Sequence, residues 1–153
     1  MELTHDLYGG RATASGAAAT LHRYSPYLLS ILRIVTALLF VEHGLSRLFG
    51  FPSPLPTPAL FSMLWFAGAI ELAGGALLLA GLFTRTAAFI MSGEMAAAYF
   101  LSHAPRGFFP ILNNGDGAIL YCFIFLYIVF AGAGPWSLDA VWRRRSEQGS
   151  RAD

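Results

Sequence analysis

The chain has 153 residues, 56% hydrophobic and only 12% charged, with a formal net charge of +1. A soluble domain of this size carries about 25% charge, so these residues cannot coat a water-soluble globule, and lipid is the solvent that tolerates the rest. All ten basic residues are Arg, with no basic run interleaved with aromatics, which argues against nucleic acid as a partner; the lone Cys122 excludes an internal disulfide or a CxxC relay.

Residues 1–24 read as a cytoplasmic tail rather than a secretory signal, because Glu2 and Asp6 precede any apolar core. Four segments then approach the roughly 20 apolar residues that cross a bilayer. The first runs from about Tyr27 to Leu48 and the second from Leu60 to Phe83. The third runs from about Thr86 to Ser102 and the fourth from about Asp116 to Ala133. Each break has a local cause. Pro52, Pro54, Pro56 and Pro58 alternate through the first loop, a pattern no helix survives. Gly81, Thr84 and Arg85 leave room for a short hairpin. Pro105, Gly107, Pro110, Asn113, Asn114 and Gly115 mark the third break, and Gly132, Gly134 and Pro135 stop the last span. The third span is the least apolar, with Glu94 in its middle, yet both its ends are marked. The pattern predicts an all-α, membrane-embedded four-helix bundle over residues 25–141, followed by a basic cytoplasmic tail at 142–153.

Arginine placement orients the spans. Arg11, Arg23, Arg85, Arg143, Arg144, Arg145 and Arg151 fall on the side of the two tails and the second loop. Only Arg47 and Arg106 fall opposite. Both termini are therefore expected in the cytoplasm of a multi-pass protein of the bacterial cytoplasmic (inner) membrane, with membrane lipids as surroundings. Trp136 and Trp142 sit where an interfacial aromatic belt belongs.

Ionisable side chains inside a span are costly and should face the interior, a partner or water. Arg33, Thr36, Phe40, His43 and Arg47 advance by helical steps and form one stripe. Glu71 lies between Gly68 and Gly75, small residues that let another backbone approach. Met91, Glu94 and Ala98 share a face of the third span. Helix pitch and loop parity allow Glu42, His43, Arg47, Glu71, Glu94, His103 and Asp116 to converge on one polar cavity open to the outer face. Plainer readings stand beside this. Arg33, about six residues from the cytoplasmic edge, is expected to snorkel, and Arg47 and Arg106 to lie at the interface. Glu71 and Glu94 are either protonated structural hydrogen-bonders or partners of an Arg or His. His43 is either a satisfied core histidine or a ligand or proton carrier. Asp116 caps the fourth helix, with Asn113 and Asn114 as turn residues. Cys122 is a small buried hydrophobe. No metal site is assigned, since the paired Glu-x-x-His motif of di-iron bundles is missing. As haem ligands only His43 and His103 are candidates.

The order of four motifs resembles the DoxX family of small bacterial four-helix membrane proteins. They are LRIVTALLFVEHGLSRLFGF, AIELAGGALLLAGLFTRTAA, GEMAAAYFLSH and NNGDGAILYCFIFLYIVFAGAGPWSLDA. The likeness spans about residues 28–141. Arg47 stands where the family usually has Lys, and Asp116 where it usually has Glu. His43, Glu71, Asn113 and Asp116 match the family's polar motif positions. The family is similar to the small subunit of an archaeal thiosulfate:quinone oxidoreductase. The resemblance therefore implies a subunit of a quinone-linked membrane oxidoreductase complex, with quinone as ligand and a separate redox partner protein. The alternative is a non-enzymatic binding or transport module for a small solute or protons. Four helices are few for a transporter, so that alternative calls for a homo-oligomer. The residues leave open whether the chain is itself an enzyme.

Overall fold

The computed structural model describes residues 16–53 and 56–149; Arg11, Arg151 and Pro54, which entered the topology and loop readings, lie outside them. Among the described residues the fold is all-α, with no strand. The helices are α1 (Gly16–Phe49), α2 (Met63–Ala80), α3 (Thr84–Ala98), the single turn α4 (Pro110–Asn113), α5 (Asp116–Ala131) and α6 (Leu138–Gly149). A π-helical turn, Tyr99–His103, and a 3-10 turn, Ala104–Arg106, continue α3 without a break. Two helices, at Ala18–Phe49 and Met63–Ala80, are long and apolar enough to cross a membrane, and the apolar Asp116–Ala131 is shorter.

Local chemistry sets most boundaries. Ser62 caps α2, its hydroxyl accepting from the Trp65 amide at 3.2 Å. Gly81 ends α2 in the left-handed region at φ 67°. α1 differs from the sequence expectation. It begins at Gly16, inside the stretch read as a tail, and runs through Pro26. Ala17, Ala18 and Ala19 are strong helix formers, so the chain keeps its helix across the one amide hydrogen bond that Pro26 removes. The C-terminal tail likewise holds a helix, α6, that starts before residue 142.

α1 packs on α2, α2 on α3, α3 on α5, and α5 returns to α1. The α1–α2 contact depends on a missing side chain. A Cβ at Gly44 would stand 2.7 Å from the Leu72 amide nitrogen and 3.0 Å from the Gly68 carbonyl oxygen. The stripe from Arg33 to Phe40 does face inward: Arg33, Thr36, Ala37 and Phe40 are all buried. Phe40 meets Phe125 edge-on at 4.7 Å and Tyr121 at 5.1 Å, closing α1 against α5. Ser92 ties α3 to α5 by donating to the Cys122 carbonyl at 2.9 Å, and Cys122 is half-buried.

One end of the molecule is a polar knot, and it corrects the reading of Arg33. Arg33 does not snorkel: it is 0% exposed. Its Nε donates to the Ala133 carbonyl at 2.9 Å, and Nη1 donates to the carbonyls of Leu78 and, at 2.9 Å, Leu79. Nη2 donates to the Trp136 carbonyl. Leu78 and Leu79 belong to the last turn of α2, whose carbonyls have no partner within the helix, and a cation there also complements the helix dipole. Around it, the Trp136 amide donates to the Ser30 hydroxyl at 3.3 Å and the Asp139 amide to the Gly81 carbonyl at 2.9 Å. The first half of α1, the α2–α3 turn and the α5–α6 link therefore share one end. The α1–α2 loop and the 99–115 segment form the other.

Replacing Arg33 with Met leaves the carbonyls of Leu79, Ala133 and Trp136 without a donor, while Leu78 keeps the Gly81 amide, and should cost on the order of 3 kcal/mol. Arg33→Lys should recover only part of that, because an ammonium cannot reproduce the planar fork. Unfolding of both variants in detergent checks this; wild-type stability in either would contradict the clamp.

Candidate functional site

At the loop-rich end, α1, α2 and α3 hold an ion pair between two cavities. Arg47 and Glu71 meet in a two-pronged contact, Nε to Oε2 and Nη2 to Oε1, both at 3.0 Å. The Glu71 side chain is 2% exposed and that of Arg47 30%. Glu71 reaches this place because α2 buries Gly68, Glu71, Gly75 and Leu78 along one face. Arg47 thus turns its guanidinium inward onto Glu71.

The larger cavity, about 410 Å³, opens between α2 and α3. Its walls are mostly apolar, including Leu64, Phe66, Ala67, Ile70, Met95 and Leu101. Its polar groups are Arg47, Glu71, Glu94, Ser102, His103 and Arg106. Both carboxylate oxygens of Glu94 are buried and have no hydrogen-bond partner. A buried carboxyl in that state costs several kcal/mol unless it is protonated or meets a ligand. The smaller cavity, about 220 Å³, is lined by Phe40, His43, Asn114, Gly117, Ala118 and Tyr121. Arg47, Glu71, Met95, Ala98 and His103 line both, so the ion pair stands in the partition.

The two histidines are set alike. His43 Nδ1 lies 2.8 Å from the Leu39 carbonyl oxygen, and His103 Nδ1 lies 3.0 Å from that of Asn113. A carbonyl only accepts, so each Nδ1 carries the proton and each Nε2 of the neutral ring is a free proton acceptor. His43 is exposed on the helix surface but rests on Phe40 and Tyr121, with ring centroids 6.2 Å away in both cases.

Of the eight residues singled out in the sequence, His43, Arg47, Glu71, Glu94 and His103 come together here, and three do not. Glu42 is exposed and lines neither cavity, because a neighbour one step along a helix turns off the stripe. Asn113 is buried but committed to its loop: Nδ2 donates to the Gly107 carbonyl at 2.8 Å, and Oδ1 accepts from the Gly115 amide at 2.8 Å. Asp116 is exposed outside both cavities at the first helical position, while Gly115 holds the N-cap position expected of it. Among the described residues no group of three His, Cys, Asp or Glu side chains converges to hold a metal ion.

Sequence reading gave no role to Asp139, and used Arg85 only to mark the second break and to orient the spans. Asp139 accepts from the amides of Phe83 and Thr84, both at 2.9 Å, and so caps α3 from the opposite end of the chain. Arg85 donates to the carbonyls of Val129 and Phe130 at 2.5 and 3.1 Å, capping α5. Both lie inside the quoted family motifs, which was the available signal.

A family model described as DoxX matches residues 28–104, a stretch that holds Arg33, Arg47, Glu71, Glu94 and His103. A protein of Haemophilus influenzae (strain ATCC 51907 / DSM 11121 / KW20 / Rd), described as "Uncharacterized protein", is 50% identical over 125 residues. The match covers 78% of this chain and 93% of that protein. No solved structure matches the chain.

Truncating one partner of the ion pair strands the other. Arg47→Met should destabilise by on the order of 3 kcal/mol, because Glu71 is left buried and unpaired, whereas the double variant Arg47→Met/Glu71→Met should lie much closer to wild type. A double-mutant cycle in detergent reads this; additive losses would contradict the coupling.

Proposed function

The chain belongs to the DoxX family, a family of membrane proteins, and from that premise we propose that it is a multi-pass subunit of a quinone-linked oxidoreductase of the bacterial cytoplasmic membrane. α1, α2, α3 with its continuation to Arg106, and α5 are the four spans, with both termini cytoplasmic. The inverted distribution of polarity supports the embedding. Arg33, Glu71, Ser30 and Thr36 are buried, while Leu28, Val35, Leu38, Phe66, Phe89, Phe123 and Phe130 are exposed. Water would penalise that surface, and lipid does not.

The observation that carries the functional reading is the unpartnered Glu94 carboxylate in a cavity whose walls are mostly apolar. A quinone headgroup is flat and apolar with two oxygens at its poles, and it fits such a site. A quinone bound there would take two electrons from a partner protein and two protons from the cavity. Glu94, protonated, supplies one proton. His103, protonated at Nε2, supplies the other, and quinol oxidation reverses both transfers. The Arg47–Glu71 pair keeps its charges matched and fixes the floor of the cavity. The chain's own task is binding, orientation and proton exchange, and the redox centre belongs to the partner. A proton- or solute-moving module is the second reading. The shared Arg47–Glu71 partition favours it, because parting that pair would join the two cavities.

Topology is tested by single cysteines in a Cys122→Ala background, labelled in whole cells with a membrane-impermeant maleimide. Cysteines at the termini and near residue 82 should stay unlabelled, and one near residue 57 should react; labelling at either terminus would refute the orientation. Ligand chemistry is tested with a short-chain ubiquinone analogue titrated against the purified full-length chain. Glu94→Gln and His103→Gln should each weaken binding about tenfold, roughly 1.4 kcal/mol. No binding by the wild type, or unchanged binding by both variants, would refute the quinone reading.

A further inference from the structure

The polar knot at the other end borders an open cavity of about 670 Å³, and the quinone reading makes no use of it. It lies between the first half of α1, the N-terminus of α3, the C-terminus of α5 and α6. Its polar groups include Ser25, Thr84, Arg85, Tyr127, Asp139 and Arg143.

Their commitments leave a clear surplus of donors. The Asp139 carboxylate is spent on two backbone amides, at 2.9 Å each. Arg85 spends Nη1 on the end of α5, which leaves Nε and Nη2 without a partner among the described residues. Arg143 has no hydrogen bond or ion pair among the described residues and is exposed. Thr84 is 1% exposed, yet its Oγ1 has no partner. A threonine this close to a helix start has no preceding helical carbonyl to satisfy its hydroxyl. The cavity therefore offers two guanidinium groups and a buried, unspent hydroxyl around a carboxylate whose charge is already met by amides. That is a donor set for an oxyanion.

The surroundings narrow the ligand. Phe83, which lines the cavity, and Trp142 beside it stand exposed, at 59% and 52%. Phe83 and Trp142 meet edge-on at 6.1 Å. Acyl chains can lie along such a surface, and aromatics of this kind mark the headgroup level. We infer that this cavity is a second ligand site that binds a phosphate group, held by Thr84, Arg85 and Arg143, with an anionic phospholipid headgroup as its occupant. A guanidinium pair beside a hydroxyl suits a phosphodiester carrying one negative charge. The inference stands apart from the quinone reading, since no residue is shared between the two cavities.

Thermal unfolding of the full-length protein in uncharged detergent tests it. One arm titrates dioleoylphosphatidylglycerol against dioleoylphosphatidylcholine, and the other titrates sodium phosphate against sodium chloride at equal ionic strength. Phosphatidylglycerol should stabilise the protein and phosphatidylcholine should not. Arg143→Gln and Thr84→Val should each weaken the phosphatidylglycerol effect about fivefold, and Arg143→Lys and Thr84→Ser should largely restore it. Arg143 is exposed and Thr84→Val is isosteric, so both chains should fold. Stabilisation by sodium phosphate alone, lost in the same two variants, would support the site with a soluble phosphate ester as its source. Equal stabilisation by the two lipids with no phosphate effect, or wild-type responses from both variants, would overturn the proposal.

Discussion

The structure depends on one buried cation. The Arg33 guanidinium holds the last turn of α2 and the segment between α5 and α6 against the side of α1. The carbonyls of Leu79, Ala133 and Trp136, which would otherwise lack a partner in a low-dielectric interior, find it in a single side chain that also shares the Leu78 carbonyl with the Gly81 amide. No lysine could do the same, because the partners are spread around the plane of the fork. Asp139 and Arg85 repeat the principle for the other two helix ends nearby: the carboxylate caps α3, and the guanidinium caps α5. Helix ends left open by the tight α2–α3 turn are thus closed by side chains from distant parts of the chain.

This division frees the opposite end for chemistry. With the helices locked at the knot, the far halves of α2 and α3 can part around a cavity without loss of the fold. There the charges are arranged differently. Arg47 and Glu71 neutralise one another, while Glu94 stays unpartnered. Among the described residues, the buried side-chain polar atoms left without a partner are the Glu94 carboxyl at this end and the Thr84 hydroxyl at the other, each beside a cavity that a ligand can enter.

The elements were legible because their signals are local. The prolines after Gly50, the Gly81 turn and the Gly-rich segments around α5 are read directly, and so is the stripe from Arg33 to Arg47. Arg33 was placed too shallow for a physical reason. The first span was read as starting near Tyr27, six residues away, but α1 begins at Gly16 and Arg33 is wholly buried against its neighbours. Glu71 was expected to pair or stay protonated, and it pairs; which cation it meets was not readable, since Arg47 comes from another helix. Glu42 and Asp116 looked like companions of His43 by nearness in sequence or by loop parity. A turn of about 100° per residue sends the first outward, and the second sits on a helix start that faces away from the cavity.

The sequence alone determined that the chain is helical, where most helices stop, and that lipid rather than water suits its surface. Each of these follows from runs of neighbouring residues. Only the tertiary structure decided which charges meet. Arg33 finds Leu78 45 residues away and Trp136 103 residues away, and Thr84 finds its cap 55 residues along the chain. Pairing at such separations depends on which faces the helices turn toward one another, and no local pattern encodes that rotation.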